Sequence, residues 1–134
     1  MGIALSTRLH TLFDDAVLRT REALAEQGFG VLTEIDVKAT LKAKLNEDME
    51  DYLILGACNP PLAHRAVNID RQIGLLLPCN VVVRTDPKKD GTVLVEAMDP
   101  QVLVDVTNEA ELRPVADEVG AKLRSAIDSL GMST

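Results

Sequence analysis

Apolar residues in this chain change their spacing along the sequence, from every second position to every third or fourth position and back. The first spacing is typical of a strand with one buried face, and the second of a helix. The pattern predicts the order strand-helix-strand-helix-strand-helix-strand-strand-helix. A hairpin and the lack of repeated strand-helix-strand units favour an α+β fold, with a mixed or antiparallel sheet covered by helices. We expect one compact domain over residues 1–134.

Turn and capping residues divide this pattern into elements. The predicted strands cover residues 2–10, 29–35, 52–57, 80–85 and 92–97. The first helix is predicted to begin after an N-cap at Thr11 and to end before Gly28. The second is predicted over residues 37–45, with Asp36 as its N-cap. The third is predicted to begin after an N-cap at Asn59 and to carry two prolines in its first turn. A short helix is predicted after Asp99, and a long final helix is expected to end at Gly131.

Charge and composition exclude several classes of partner. The net charge is −7, with 21 acidic and 14 basic residues, so phosphate backbones and anionic lipid surfaces are repelled. Only three aromatic residues, Phe13, Phe29 and Tyr52, are available to stack on bases. No stretch approaches a membrane span, and the N-terminus does not resemble a signal peptide. Two cysteines are too few for a disulfide framework, so we expect a cytoplasmic protein with reduced thiols.

Few residues are available for chemistry. Nucleotide-binding loops, zinc-protease helices and serine-nucleophile motifs are absent, and the chain contains two histidines, His10 and His64. Cys58 ends a predicted strand just before a helix N-terminus, where backbone N–H groups stabilise a thiolate and lower its pKa. Cys79 begins the next strand. Three interpretations remain open: buried inert thiols, reactive or redox thiols, and a metal site.

The connection between the two cysteines decides whether their thiols meet. One straight helix over residues 60–75 would carry the chain about 24 Å away from Cys58, and its apolar stripe supports that helix. Asn68, Asp70 and Gly74 argue against it, because each favours a cap or a break over a helix interior. We therefore expect the helix to stop near Asn68 and Asp70 to cap a second short turn. Both cysteines would then lie at one end of the sheet.

The remaining polar candidates are weaker. His64 lies opposite the apolar stripe and is expected to be solvated. As a third ligand beside Cys58 and Cys79, it would leave the open position typical of catalytic zinc or of copper sites. Nothing in the sequence connects His10 to the thiols. The acidic pair Asp14 and Asp15 is expected to complement the positive end of a helix dipole.

The cysteine segments carry a family resemblance. Gly-Ala-Cys-Asn-Pro-Pro-Leu-Ala from Gly56 and Ile-Gly-Leu-Leu-Leu-Pro-Cys-Asn-Val-Val-Val from Ile73 resemble the family called domain of unknown function 302, DUF302. The similarity extends from Phe-Gly-Val-Leu at Phe29 to Met-Asp-Pro at Met98. It implies a compact α+β fold that commonly forms homodimers and has no established activity. It also implies that the two cysteine segments matter to the family.

Three hypotheses about function follow. The first is a homodimeric binding module that is non-enzymatic or weakly catalytic. A small pocket would take a small ligand, a sulfur species or a soft metal such as copper or zinc, and the sequence requires no cofactor. Its binding residues would be Cys58, Asn59, Pro60, Cys79 and Asn80. The second is a thiol redox or sulfur-transfer protein in which Cys58 is the nucleophile and Cys79 is the resolving cysteine. The third is a fold with purely structural thiols.

Overall fold

The computed structural model describes residues 3–132 and contains five strands. They are Ala4–Leu9 (β1), Gly30–Asp36 (β2), Tyr52–Cys58 (β3), Cys79–Thr85 (β4) and Val93–Met98 (β5). All five belong to one sheet in the order β1-β5-β4-β3-β2, and every neighbouring pair is antiparallel. The predicted α+β fold is confirmed, and the sheet proves to be entirely antiparallel rather than mixed.

Helices connect the strands in the predicted order. They are Phe13–Glu26 (α1), Val37–Leu45 (α2), Pro60–Ile69 (α3), Gln101–Thr107 (α4) and Arg113–Met132 (α5), with short 3₁₀ helices at Arg71–Leu76 and Ala110–Leu112. Within residues 3–132, no helix combines the length and apolar character that crossing a membrane would require.

One face of the sheet and the helices α1, α3 and α5 enclose the core. Alternate strand residues point into it, so Leu55, Val81 and Val95 on the three inner strands have no exposed surface. Leu123 and Ile127 of α5 cover these strands at 0 % and 2 % exposure. Burying an aliphatic side chain of this size stabilises the fold by about 1.5–3 kcal/mol. The core is thus aliphatic, as the shortage of aromatic residues requires.

The opposite face of the sheet carries both polar and apolar side chains and is only partly covered. Arg84 of β4 lies diagonally across from Glu96 of β5, and its Nε and Nη2 atoms donate to the two carboxylate oxygens at 2.7 and 3.4 Å. Asn80 and Arg8 lie on the same face and are exposed. The chain therefore places its core on one side of the sheet only.

Two predicted helix ends are wrong. Thr11 does not cap α1: its hydroxyl donates to Asp15 at 2.7 Å, and Leu12 occupies the N-cap position without a side-chain hydrogen bond. Gly131 does not end α5, which continues to Met132. A Cβ at Gly131 would lie 3.0 Å from Thr7 Oγ1, so the glycine permits close packing on β1. The first predicted strand began at Gly2, which lies outside the described residues.

Candidate functional site

Cys58 occupies the junction between β3 and α3. The next residue, Asn59, is the N-cap of α3, and its Oδ1 accepts from the Leu62 backbone N–H at 3.4 Å. Its Nδ2 donates to the Gln27 carbonyl oxygen at 3.4 Å. Pro60 and Pro61 occupy the first turn, where their missing N–H groups cost nothing. The predicted cap is confirmed, and it fixes Cys58 immediately before a helix N-terminus.

The chain doubles back between the two cysteines. Helix α3 ends at Ile69, and the carboxylate of Asp70 accepts from the Gln72 backbone N–H at 2.9 Å, which caps the following 3₁₀ helix. Ile73 of that 3₁₀ helix has no exposed surface and anchors it in the core. The predicted break in the helix is confirmed. The Leu77–Pro78 peptide bond, which precedes β4, is cis.

The two thiols consequently lie at the same end of the sheet. Ala57 of β3 is the register partner of Cys79 of β4. Cys58 therefore follows the residue that lies directly opposite Cys79. Both cysteines are free; Cys58 is half-buried, and Cys79 is 5 % exposed. Burial, followed by repulsion from the nearby Cys58, raises the pKa of Cys79 from 9.0 to about 11. Cys79 therefore remains a neutral thiol at physiological pH.

A cavity of about 250 Å³ lies beside these cysteines. Its polar lining is limited to Cys58, Cys79 and Asn59, and the remaining wall is apolar. The apolar wall comes from several elements between positions 29 and 119 and includes Phe29, Leu32, Leu62, Pro78, Leu103, Val115 and Val119. Cys58, Asn59 and Cys79 are thus brought together in one cavity wall.

Two other predicted binding residues point elsewhere. Asn80 is exposed on the face of the sheet opposite the core, because it follows Cys79 and neighbouring strand residues face opposite ways. Pro60 is exposed at the start of α3. Neither residue contributes to the cavity wall. The described part of the chain therefore supports a smaller site than the five residues predicted from the sequence.

The histidines and the acidic pair also lie apart from the cavity. His64 is exposed on α3, and its Nε2 lies 3.2 Å from Asn68 Nδ2. Across residues 3–132, no three His, Cys, Asp or Glu side chains are grouped so that they could hold a metal ion, so Cys58, Cys79 and His64 do not form a three-ligand set. His10 Nδ1 lies 3.4 Å from Thr92 Oγ1. Asp14 and Asp15 occupy the first turn of α1, as expected.

Leu32 forms an exposed side of the cavity that the sequence pattern did not indicate. A bulge between Val31 and Thr33 leaves Leu32 without a register partner on β3. Its side chain is 66 % exposed, although it also lines the cavity. Bulges depend on strand pairing, so periodicity along one strand carries no signal for this residue.

Gly56 provides the close contact between the strands next to the cysteines. Its register partners are Thr33 on β2 and Asn80 on β4. A Cβ at Gly56 would overlap Thr33 Oγ1 and lie 2.7 Å from Pro78 Cγ. Real Cβ atoms are not found this close to their neighbours. Glycine is therefore required at this position for Pro78 to reach the cavity wall.

These features define a small α+β domain whose antiparallel sheet ends in a cavity lined by two thiols. The model of the family described as Domain of unknown function DUF302 matches residues 5–130, and the chain belongs to this family. The crystal structure of the uncharacterized conserved protein DUF302 from Bacillus stearothermophilus is similar, with 28 % identity and a TM-score of 0.86. The similarity covers 96 % of this chain and 98 % of that one. No curated protein matches the chain.

Proposed function

We propose that this protein is a binding module for a small, largely apolar molecule, held in the cavity beside Cys58. The observation that carries this proposal is the composition of the cavity wall, in which Cys58, Cys79 and Asn59 interrupt an otherwise apolar lining. Concave apolar sites with a few polar groups are the usual form of small-molecule sites. The apolar wall supplies affinity, and the polar groups orient the ligand.

The size of the cavity limits the ligand. Its volume of about 250 Å³ is slightly below the range of roughly 300–1,000 Å³ found for most ligand pockets. A water-sized group takes about 30 Å³, so the cavity accommodates roughly eight non-hydrogen atoms. Fatty chains of about six to eight carbons and single-ring compounds are therefore the appropriate size.

The state of Cys79 favours binding over thiol chemistry. With a pKa of about 11, roughly one Cys79 side chain in ten thousand is a thiolate at pH 7. Thiolates, and not thiols, attack disulfides and bind soft metals. Cys79 thus stays a neutral, weakly polar thiol in the wall, and Cys58 is the more exposed thiol that a ligand can contact. Redox or sulfur transfer by the pair is the second candidate, supported by the adjacent positions of the two residues.

We expect 1-octanol to bind this cavity, with saturable shifts of the backbone amide resonances of Cys58 and Leu62. Ala63 is half-buried and lines the cavity, so Ala63→Leu fills part of the space and should weaken binding about tenfold, which corresponds to 1.4 kcal/mol. NMR titration measures both results. Ala121→Leu, on an exposed helix position, is the matched control and should bind as the wild type does. Titrations without saturation in the wild type would refute the proposed function.

We further propose that a second copy of the chain covers β2 and α2. None of the residues 30–45 is buried. This exposed segment includes three large apolar side chains: Leu32, Ile35 and Leu45 are 66, 49 and 64 % exposed. β2 is also an edge strand, which leaves backbone groups open to pairing. Leu32 belongs to both this surface and the cavity wall, so the copy would shield one side of the cavity.

Charge complementarity favours a second copy as the occupant. Helix α2 carries three lysines and no acidic residue, whereas residues 47–51 include four acidic residues. Lys38 forms an ion pair with Asp51, and Lys42 forms one with Asp48. Among the described residues, Lys44 and Glu47 form no ion pair. A two-fold axis would bring the basic helix of one copy to the acidic loop of the other. The surface is therefore complementary to itself.

Sedimentation velocity should show a homodimer that depends on these charges. Lys44→Glu places like charges at the interface and should weaken the dimer about tenfold. Combining Lys44→Glu with Glu47→Lys restores opposite charges across the axis and should recover the dimer. Lys89→Glu, on the exposed β4–β5 hairpin, is the control. A wild-type protein that stays monomeric at its highest soluble concentration would exclude the proposed dimer and leave the ligand proposal intact.

A further inference from the structure

We infer that the ligand is a monocarboxylate with a short aliphatic chain, whose chain fills the cavity and whose carboxylate lies outside it near Arg65 and Lys122. This inference rests on the proposed function and specifies the class of ligand. It depends on a second depression in the surface, of about 430 Å³, which borders the first. Asn59 and Leu62 belong to the walls of both. Because the two depressions share these wall residues, a ligand in the cavity that extended past Asn59 would reach the charged wall.

Two cationic side chains line the second depression. Lys122 of α5 is half-buried and forms no ion pair within the described chain. Arg65 of α3 donates to Glu118 at 3.1 Å. A guanidinium carries five N–H donors in a planar fork, so Arg65 can hold Glu118 and still donate to a ligand. The two cations thus provide a binding position for a negative group.

Asn59 supplies a neutral donor between the two depressions. It is 9 % exposed, and its amide nitrogen has two N–H groups. Within residues 3–132, one of them has an acceptor, the Gln27 carbonyl oxygen at 3.4 Å. A Cβ at Gly28 would lie 3.1 Å from Asn59 Nδ2, so glycine keeps this side of the amide accessible. The second N–H is available to a ligand oxygen at the boundary.

The acidic residues of the depression restrict the charge of the ligand. Glu118 is neutralised by Arg65, whereas Glu26 has no ion pair in the described part of the chain. The protein also carries a net charge of −7. A phosphate dianion would meet twice the repulsion of a carboxylate from these charges. The two carboxylates and the two cations of the depression cancel in charge. Direct contact with Lys122, and not a net positive field, would therefore hold the ligand, and a monoanion fits better than a dianion.

The size of the cavity fixes the length of the chain. About eight non-hydrogen atoms fill 250 Å³ at roughly 30 Å³ each. A chain of six to eight carbons fills the apolar cavity and places the carboxylate beyond Asn59. Longer chains would leave methylenes in water, and shorter chains would leave part of the cavity empty.

Calorimetric titration with octanoate and 1-octanol tests this inference. The two compounds share one chain and differ in the head group. We expect the wild type to bind octanoate about tenfold more tightly than 1-octanol, because the carboxylate adds one charge-assisted contact to the protein. Lys122→Gln and Arg65→Gln should each reduce this ratio of affinities several-fold, and Lys122→Arg should keep it. Lys88→Gln, on the β4–β5 hairpin, is the control and should leave the ratio unchanged.

The outcomes separate the two proposals. If neither octanoate nor 1-octanol binds, the proposed function fails. If 1-octanol binds at least as tightly as octanoate, the apolar site stands and the carboxylate inference is overturned. The inference is also overturned if octanoate binds more tightly but Lys122→Gln and Arg65→Gln leave the ratio unchanged. A ratio that falls with added salt in the wild type, and not in Lys122→Gln, supports the direct role of that lysine.

Discussion

Gly56→Ala should lower the free energy of unfolding by about 3 kcal/mol or more, at the upper end of what overpacking costs. The added methyl would overlap Thr33 Oγ1 and lie 2.7 Å from Pro78 Cγ. Thr33 belongs to β2, and Pro78 is held by its ring immediately before β4. The Thr33 hydroxyl can rotate away about χ1, but the Pro78 ring cannot, so the segment that carries Pro78 must shift.

Gly30→Ala is the matched control for this substitution. Gly30 also lies in a strand, and a Cβ built there has no neighbour within 4 Å. Its backbone does not have a positive φ, so alanine should change stability by about 1 kcal/mol or less, with a gain from the stiffer unfolded chain. Chemical denaturation of the three proteins measures both effects. Equal losses from the two substitutions would show that Gly56 is not confined as described.

The second large effect is a loss of stability at alkaline pH that depends on Cys79. The folded protein raises the pKa of Cys79 from 9.0 to about 11, so the folded state holds this proton more tightly than the unfolded state. The associated stability is complete below pH 9 and is lost as the pH rises through 11. Two pKa units correspond to at most about 3 kcal/mol. The unfolding free energy of the wild type should fall by up to this amount.

Cys79→Ala isolates this contribution, because every other side chain is the same in both proteins. Its stability is lower at pH 8, since a buried side chain is shortened, but the difference from the wild type should shrink between pH 9 and 11. Parallel stability curves would contradict the buried neutral thiol. Alkylation with iodoacetamide followed by mass spectrometry gives a second reading: Cys58 should react in the native protein, and Cys79 should react only on unfolding. Rapid native modification of Cys79 would favour the redox candidate.

Local signals predicted much of the fold. Asp36, Asn59 and Asp70 cap their helices as expected, because a cap depends on hydrogen bonds to backbone groups two or three residues away. Thr11 and Gly131 were misjudged, because the hydroxyl of Thr11 is used by Asp15 and the close packing of Gly131 involves β1. The order of the strands was not predicted, since pairing joins residues that are far apart in sequence.

The candidate site was predictable only in part. The proximity of Cys58 to Cys79 followed from residues that break a helix, which act locally. The apolar wall could not be predicted, because Leu32, Leu103 and Val119 come from three distant elements. Asn80 could have been excluded from the site, because a strand turns the residue after an inward-facing Cys79 to the opposite side.

The bulge at Leu32 gives the cavity two unlike sides. One side belongs to helices with buried side chains such as Leu62 and Leu103, and the other to an edge strand that buries none of its own. For the proposed ligand, local loosening of this outermost strand would be enough for exchange, while the aliphatic interior stays intact. The rate of ligand release would then follow the local fluctuations of β2 and would be insensitive to the global stability of the protein.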